Sequence, residues 1–289
     1  MIALDAAWRA AHPLPVSEGA TSKNKRGRVL ALGGATSVPG AIALTGEAAL
    51  RVGAGKVQLA TVRSAALMLG VGFPEARVVP LPEDEVGEIA ADPDELLLGA
   101  LARTDVAVIG PGMGDKRAAA ALVERVAGAD APVSLLLDAA AVACAGPLRE
   151  KLAGYGDRLV LTPHPGEMAA LLDCGEEEVE RDLPAAAGEA ARRFRAVVAL
   201  KSTETVVATP GGELIHYPGG GVGLATGGSG DVLAGVIGGL LCRGATPLVA
   251  AGWGVWLHGE AGRSLAARIG PVGFLGRELL PVLPTLLPR

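Results

Sequence analysis

The sequence predicts an α/β protein with a mostly parallel central sheet covered by helices on both faces. Three observations carry this expectation. Short β-branched and apolar runs alternate with Ala/Leu-rich segments of helical spacing along most of the chain. Strand alternating with helix implies right-handed crossovers, which place helices on both sides of a parallel sheet. Hydrophobic residues make up 50% of 289, enough for a sizeable core, and no internal repeat or linker interrupts them.

The elements follow in order. Residues 1–25 are polar and irregular and read as a loosely ordered lead-in to a single domain spanning 1–289. Strands are expected at Arg28–Leu32, Lys56–Thr61, Asp105–Ile109, Val133–Leu137, Leu159–Thr162, Ala196–Lys201 and Thr205–Thr209. Helical spacing marks Ala41–Val52, Arg117–Ala127 and Gly166–Leu172, and then Asp231–Cys242, Pro247–Ala267 and Leu275–Leu287. The acidic, proline-containing stretch Leu81–Glu95 reads as a surface connection. Thr203–Tyr217 reads as a hairpin turning at Gly211-Gly212.

Composition excludes several classes. Aromatics are only 3%, so the core must be built from Ala, Val and Leu with close backbone packing, and the 42 glycines are too many for turns alone. A formal charge of -5 offers no basic surface for nucleic acid. No window holds the roughly 18 apolar residues a membrane span needs. Cys144, Cys174 and Cys242 are too few and too far apart for a disulfide framework or a zinc pattern, and read as buried small hydrophobes in a reducing cytoplasm.

In open α/β sheets ligands bind outside the carboxyl ends of the strands. The unusual residues gather there: Gly33-Gly34, GPGMG (110–114), Asp138, TPHPGE (162–167) and Lys201 each follow a predicted strand. GPGMG is either an anion-binding backbone or a tight turn. Asp138 either binds a ligand or caps the next helix, capping being the safer choice. In TPHPGE, Pro165 and Glu167 suit a helix start, while His164 at the strand end is either a structural histidine or a ligand contact. Lys201 ends an apolar strand and is either a simple surface lysine or part of a site, and the STET that follows offers hydroxyls and a carboxylate that could line a nucleotide pocket.

The strongest motif is ATGGSGDVLAG (225–235). A helix N-terminus carries free N–H groups and roughly half a positive charge. Gly227, Gly228 and Gly230 let those groups converge on a phosphate. Asp231 then stands where a base would take a proton from an attacking hydroxyl. A purely dipole-stabilising aspartate, worth about 0.3–1 kcal/mol, needs no glycine cluster.

These residues together resemble a known family. GRVLALGG, PGAIAL, GPGMG, TPHPGEMAALL, a strand-end lysine, GLATGGSGDVLAGVIGGLL and WLHGEAG occur in the order seen in the NAD(P)H-hydrate dehydratases, over about residues 23 to 285. The resemblance implies a ribokinase-like three-layer sandwich. It implies nucleotide-dependent phosphorylation of the ring hydroxyl of hydrated NADH or NADPH, followed by loss of phosphate. Asp231 would be the base and Gly230 would contact the nucleotide phosphate. Ala41, the backbone of Gly110, Gly112 and Gly114, and His164 would hold the hydrated cofactor together with Asp231. Lys201, Ser202, Thr203, Glu204 and Thr205 would line the nucleotide pocket, with Thr226, Gly227, Gly228 and Ser229 around the phosphate. ADP is usual in bacterial members and ATP in eukaryotic ones. Magnesium is expected with the nucleotide, held by phosphates and water rather than by dedicated protein ligands. The resemblance also implies a homotetramer. Departures occur at Val38, Ala140, Ser202, Gly221 and Val222, which touch substrate and nucleotide contacts rather than the phosphate loop. The competing readings are a vitamin-precursor kinase of the same fold and a nucleotide-binding relative without catalysis.

Overall fold

The computed structural model describes residues 1–15, 22–23, 25–91, 95–129 and 131–288. The chain opens with a two-residue strand, β1 (Ile2–Ala3), and a helix, α1 (Ala6–Ala11), capped by the Asp5 carboxylate. β2 (Arg28–Leu32) leads into α2 (Ala41–Arg51), and β3 (Lys56–Val62) into α3 (Arg63–Gly72). β4 (Arg77–Leu81) precedes α4 (Glu95–Leu101), and β5 (Val106–Ile109) precedes α5 (Lys116–Ala127). β6 (Ser134–Leu137) is followed by the short helices α6 (Ala139–Ala143) and α7 (Arg149–Ala153). β7 (Leu159–Leu161) leads into α8 (Pro165–Leu172), α9 (Glu176–Arg181) and α10 (Leu183–Phe194). β8 (Val197–Lys201), β9 (Thr205–Ala208) and β10 (Leu214–Tyr217) come next. The long helices α11 (Ser229–Cys242) and α12 (Pro247–Arg268) follow, then α13 (Gly276–Leu279) and α14 (Leu283–Leu286).

The ten strands order as β1-β10-β9-β8-β7-β6-β5-β2-β3-β4, antiparallel only where β9 meets β8 and β10. The expected hairpin is therefore present, with Gly212 at φ 89° in its turn. Side chains alternate across the sheet. Val29 and Ala31 of β2 face one core with α2, α11 and α12, while Leu30 and Leu32 face the other with α5, α8 and α10. This is the three-layer, mostly parallel sandwich expected from the sequence.

Glycine does the work that aromatics do elsewhere. A Cβ on Gly235 of α11 would overlap the Thr45 carbonyl of α2, and one on Gly239 would stand 2.7 Å from the Ala49 carbonyl. The two helices thus pack backbone to backbone, and α2 holds α11 in a fixed position under the sheet edge.

Four expectations need correction. The lead-in is built into the fold over residues 1–15: Ile2 and Ala3 pair with Ile215 and His216, and Trp8 is buried against Gly252 of α12. Residues 16–21 and 24 lie outside the described residues. The expected helix 275–287 is two short ones, because Pro281 lacks an N–H and Pro284 fits only a first turn. The acidic stretch after β4 is more than a surface connection: Glu83 bridges to Ile89, and Glu88 and Ile89 are buried. The three cysteines are half-buried rather than core, and all are free thiols. Burial pushes Cys144 up to about 11, with the Cys144 amide and Lys116 opposing it.

Candidate active site

The first turn of α11 is the centre of the site. Gly228 takes φ 87° and forms its N-cap without any side-chain capping bond. The N–H groups of Gly230 and Asp231 have no partner among the described residues, whereas Ser229 N–H donates to the Thr226 carbonyl. A Cβ on Gly227 would meet nothing within 4 Å, and one on Gly230 would meet only the Lys201 Nζ at 3.7 Å. The turn is therefore positively polarised and open at Gly227 and Gly230, while Gly228 is backed by Leu44.

Asp231 sits in this turn on the side facing α2. Its carbonyl accepts from Thr45 Oγ1 (3.1 Å), and Thr45 Oγ1 is also 3.3 Å from the Ala41 carbonyl. Burial pushes the Asp231 carboxyl up to about 6, the Asp138 charge adds to this, and Lys201 opposes it. A carboxylate in this range is still ionised at neutral pH and has gained basicity.

Lys201 and Asp138 form the adjoining charge pair. Lys201 Nζ donates to Asp138 Oδ1 (2.7 Å), and Thr162 Oγ1 donates to the same oxygen (2.8 Å). Asp138 is buried and makes no capping bond to α6, so it pairs with Lys201 rather than capping. Burial pulls the Lys201 ammonium down, but Asp138 and Glu167 outweigh it and hold it above its ordinary value. The lysine is thus a fixed cation about one-fifth exposed, not a surface residue.

His164 does have a structural task. It is the N-cap of α8: its Nδ1 accepts from Gly166 N–H (3.1 Å) and Glu167 N–H (3.3 Å). The His164 N–H in turn donates to Glu167 Oε2 (2.8 Å), closing a reciprocal capping box. With Nδ1 accepting, the ring proton is on Nε2.

GPGMG is folded against its neighbours. A Cβ on Gly110 would overlap the Asp138 carbonyl, and one on Gly112 would stand 2.7 Å from Ala41 Cβ. The Pro111 and Gly112 carbonyls accept from Gly34 and Ala35 N–H. The Gly114 and Asp115 N–H groups donate to Glu88 Oε1 (2.8 and 3.1 Å), so the Gly114 N–H is not free for a ligand. Nothing in the sequence near GPGMG signals Glu88; it comes from the acidic stretch read as surface.

A cleft of about 690 Å³ opens between the ends of β8 and β10, the loop 218–222, α11 and α12. Of the predicted residues, His164, Lys201, Ser202, Thr203, Thr205, Thr226, Ser229 and Gly230 line it. Glu204 turns away to hydrogen-bond His216 Nε2 (2.6 Å). Ala41, Gly110, Gly112 and Gly114 lie outside the cleft: Gly112 packs on Ala41 at the start of α2, Gly110 on Asp138 and Gly114 on Glu88. Asp231, tied to α2 through Thr45, belongs to the turn that joins the cleft to α2. Sequence reasoning missed His258, which is buried and 2.9 Å from Ser229 Oγ; WLHGEAG was visible, but nothing in it revealed a partner on α11.

Comparison with known proteins gives the family. The NAD(P)H-hydrate dehydratase family model matches residues 29–285. The chain is 47% identical to the ADP-dependent (S)-NAD(P)H-hydrate dehydratase of Xanthomonas campestris pv. campestris, covering 96% of this chain and 93% of that one. It is 40% identical to a bifunctional NAD(P)H-hydrate repair enzyme of Moorella thermoacetica, covering 98% of this chain but only 53% of that one. Among solved structures, the ADP/ATP-dependent NAD(P)H-hydrate dehydratase of Bacillus subtilis, co-crystallized with ATP/Mg2+, aligns with a TM-score of 0.77 at 26% identity, over 95% of this chain and 93% of that one. The chain belongs to the NAD(P)H-hydrate dehydratase family.

Proposed function

We propose that this protein is an ADP-dependent lyase that dehydrates hydrated NADH or NADPH, with Asp231 as the base. The observation that carries the reading is the placement of Asp231: a basic carboxylate in the first turn of α11, beside two unpartnered N–H groups and the Lys201–Asp138 pair. The nucleotide lies in the cleft between α11 and α12 with its phosphates toward Gly230, and the hydrated ring lies on the α2 side. Asp231 takes the ring hydroxyl's proton as that oxygen attacks the terminal phosphorus of ADP, and AMP leaves. Loss of phosphate and a ring proton then restores the dihydropyridine. Free N–H groups and Lys201 balance the charge on the transferred phosphoryl group.

Among the described residues no group of three or more His, Cys, Asp or Glu side chains that could hold a metal ion is present. Magnesium is expected to arrive with the nucleotide and to neutralise phosphate charge. The same reading extends to a cytoplasmic homotetramer. Leu67, Met68 and Val71 of α3 are at least three-quarters exposed, and contact between copies would cover them. Light scattering on the purified protein checks the assembly.

The deciding experiment incubates the protein with ADP or ATP, magnesium and chemically hydrated NADH, and follows the near-ultraviolet absorbance of the dihydropyridine. Recovery with ADP is the expected result. No recovery with either nucleotide overturns the reading, and a stable phosphorylated product would identify a kinase instead.

A further inference from the structure

One helical turn touches both walls of the cleft. On one side His258 Nε2 and Ser229 Oγ are hydrogen-bonded at 2.9 Å, with both residues buried. On the other side Tyr217 Oη donates to Glu260 Oε1 (2.9 Å), and Arg263 Nη1 donates to the same oxygen (2.7 Å). Arg263 Nη2 donates to the Gly219 carbonyl (2.7 Å) in the loop that forms the far wall. Gly259 allows the close approach: a Cβ there would overlap the Tyr217 ring. The turn 258–263 of α12 is therefore the common reference for both sides.

Ser229 occupies a sensitive place. It is the first residue of α11 and directly precedes the two unpartnered N–H groups of Gly230 and Asp231. Rotating its backbone would swing both donors and the Asp231 side chain. The N-cap, Gly228, offers no side-chain bond, so the turn is held by the Ser229 N–H on the Thr226 carbonyl, the Val232 N–H on the Gly228 carbonyl and the Ser229 side chain. The Ser229 hydroxyl is already engaged by His258, so it serves as an anchor rather than as a ligand. Burial holds the His258 imidazole down at about 4 despite the Ser229 contact, which keeps the ring neutral wherever Asp231 is ionised.

We propose that His258 is a positioning residue for the nucleotide: through Ser229 it sets the direction of the Gly230 and Asp231 N–H groups, while Glu260 and Arg263 set the opposite wall through Tyr217 and Gly219. This rests on the assignment of the cleft to the nucleotide. The mechanism proposed above uses none of the His258, Ser229, Tyr217, Glu260 and Arg263 side chains.

The test compares His258→Ala, His258→Gln, Ser229→Ala and the His258→Ala/Ser229→Ala double variant. Each is measured for the KM of ADP, the KM of the hydrated cofactor, kcat and melting temperature. His258→Ala should raise the KM of ADP about tenfold, the scale of one buried hydrogen bond, and leave the KM of the hydrate unmoved. His258→Gln, which keeps a polar group within reach of Ser229, should recover most of that loss. The double variant should be no worse than the worse single one, because the two residues act as one unit. A lowered melting temperature with an unchanged KM for ADP overturns the proposal, as do additive losses. If His258→Ala does not fold, Ser229→Ala decides alone, and an unchanged KM for ADP overturns it. Calorimetric titration with ADP separates the two layers. ADP binding unaffected by Gly230→Val removes the cleft assignment and this inference with it. Binding lost in Gly230→Val but indifferent to His258 and Ser229 removes the inference only.

Discussion

Two glycine-rich turns lie at the same edge of the sheet, and they differ in what their glycines face. In GPGMG, Gly110 and Gly112 press against Asp138, Val38 and Ala41, and the Gly114 N–H is held by Glu88. In GGSGD, Gly227 faces open space, Gly230 faces only a lysine head group, and two N–H groups point out unpartnered. The first turn spends its missing side chains on backbone packing, at the β2/β5 position where the strand order reverses. The second leaves open space at Gly227 and Gly230, with Gly228 backed by Leu44. Glycine content alone therefore does not tell a packed turn from an open one; what a Cβ would meet does.

The largest expected effect separates the turns by chemistry. Asp231→Asn should lower kcat about 10³-fold while leaving ADP affinity nearly unchanged, since a general base contributes about 10²–10⁴. Steady-state kinetics and calorimetry check this together. If ADP affinity falls instead, Asp231 binds rather than reacts.

Next is the packing turn. Gly110→Ala combines a φ of 120° with an overlap on the Asp138 carbonyl, and should cost about 3 kcal/mol or more in a urea melt. A neutral outcome would mean that GPGMG is as open as GGSGD.

Asp231 also links activity to stability. Its folded pKa of about 6 lies above the ordinary 3.8, so the folded state disfavours the charge. The sign follows: below the unfolded pKa there is no penalty, stability falls as pH rises between the two values, and above the folded value the loss is complete. Asp231→Asn should thus melt higher than the unaltered protein at about pH 8, by at most about 3 kcal/mol, and the gap should close near pH 4. Wild-type kcat should show an acid limb with its midpoint at about 6.

Glu88→Ala leaves two N–H groups of the packing turn without their acceptor and should cost about 2 kcal/mol. It should raise the KM of the hydrate and leave that of ADP unmoved. Smallest in stability is Gly230→Ala. Its Cβ meets only Lys201 at 3.7 Å, so the melting temperature should stay within about 1 °C while the KM of ADP rises about tenfold. Equal stability losses in Gly110→Ala and Gly230→Ala would erase the distinction between the turns.

Legibility in the sequence followed the range of the interactions. β2 was found at its observed bounds, and α2 and α5 to within a residue, because apolar periodicity is local. β1 was invisible, since two residues carry no period and only its partner β10 makes it a strand. The leucine spacing of 275–287 suggests one helix, whereas Pro281 and Pro284 divide it into two short ones. Of the candidate site, Asp231 and the open Gly227 and Gly230 were legible from the glycine cluster before an apolar helix, although that helix starts at Ser229, two residues before the expected Asp231. His164 was legible by position but not by role: its cap depends on ring orientation.

By itself the sequence determined the alternation of elements, the parallel sheet and the edge at which the site forms, since hydrophobic period and chain direction dictate these locally. The tertiary structure alone decided which residues meet. Asp138 pairs with a lysine 63 positions away, Ser229 is held by a histidine 29 positions on, and Glu88 closes a loop 26 positions away. Such contacts depend on how the layers stack, and a buried polar group takes whichever partner that stacking brings within reach.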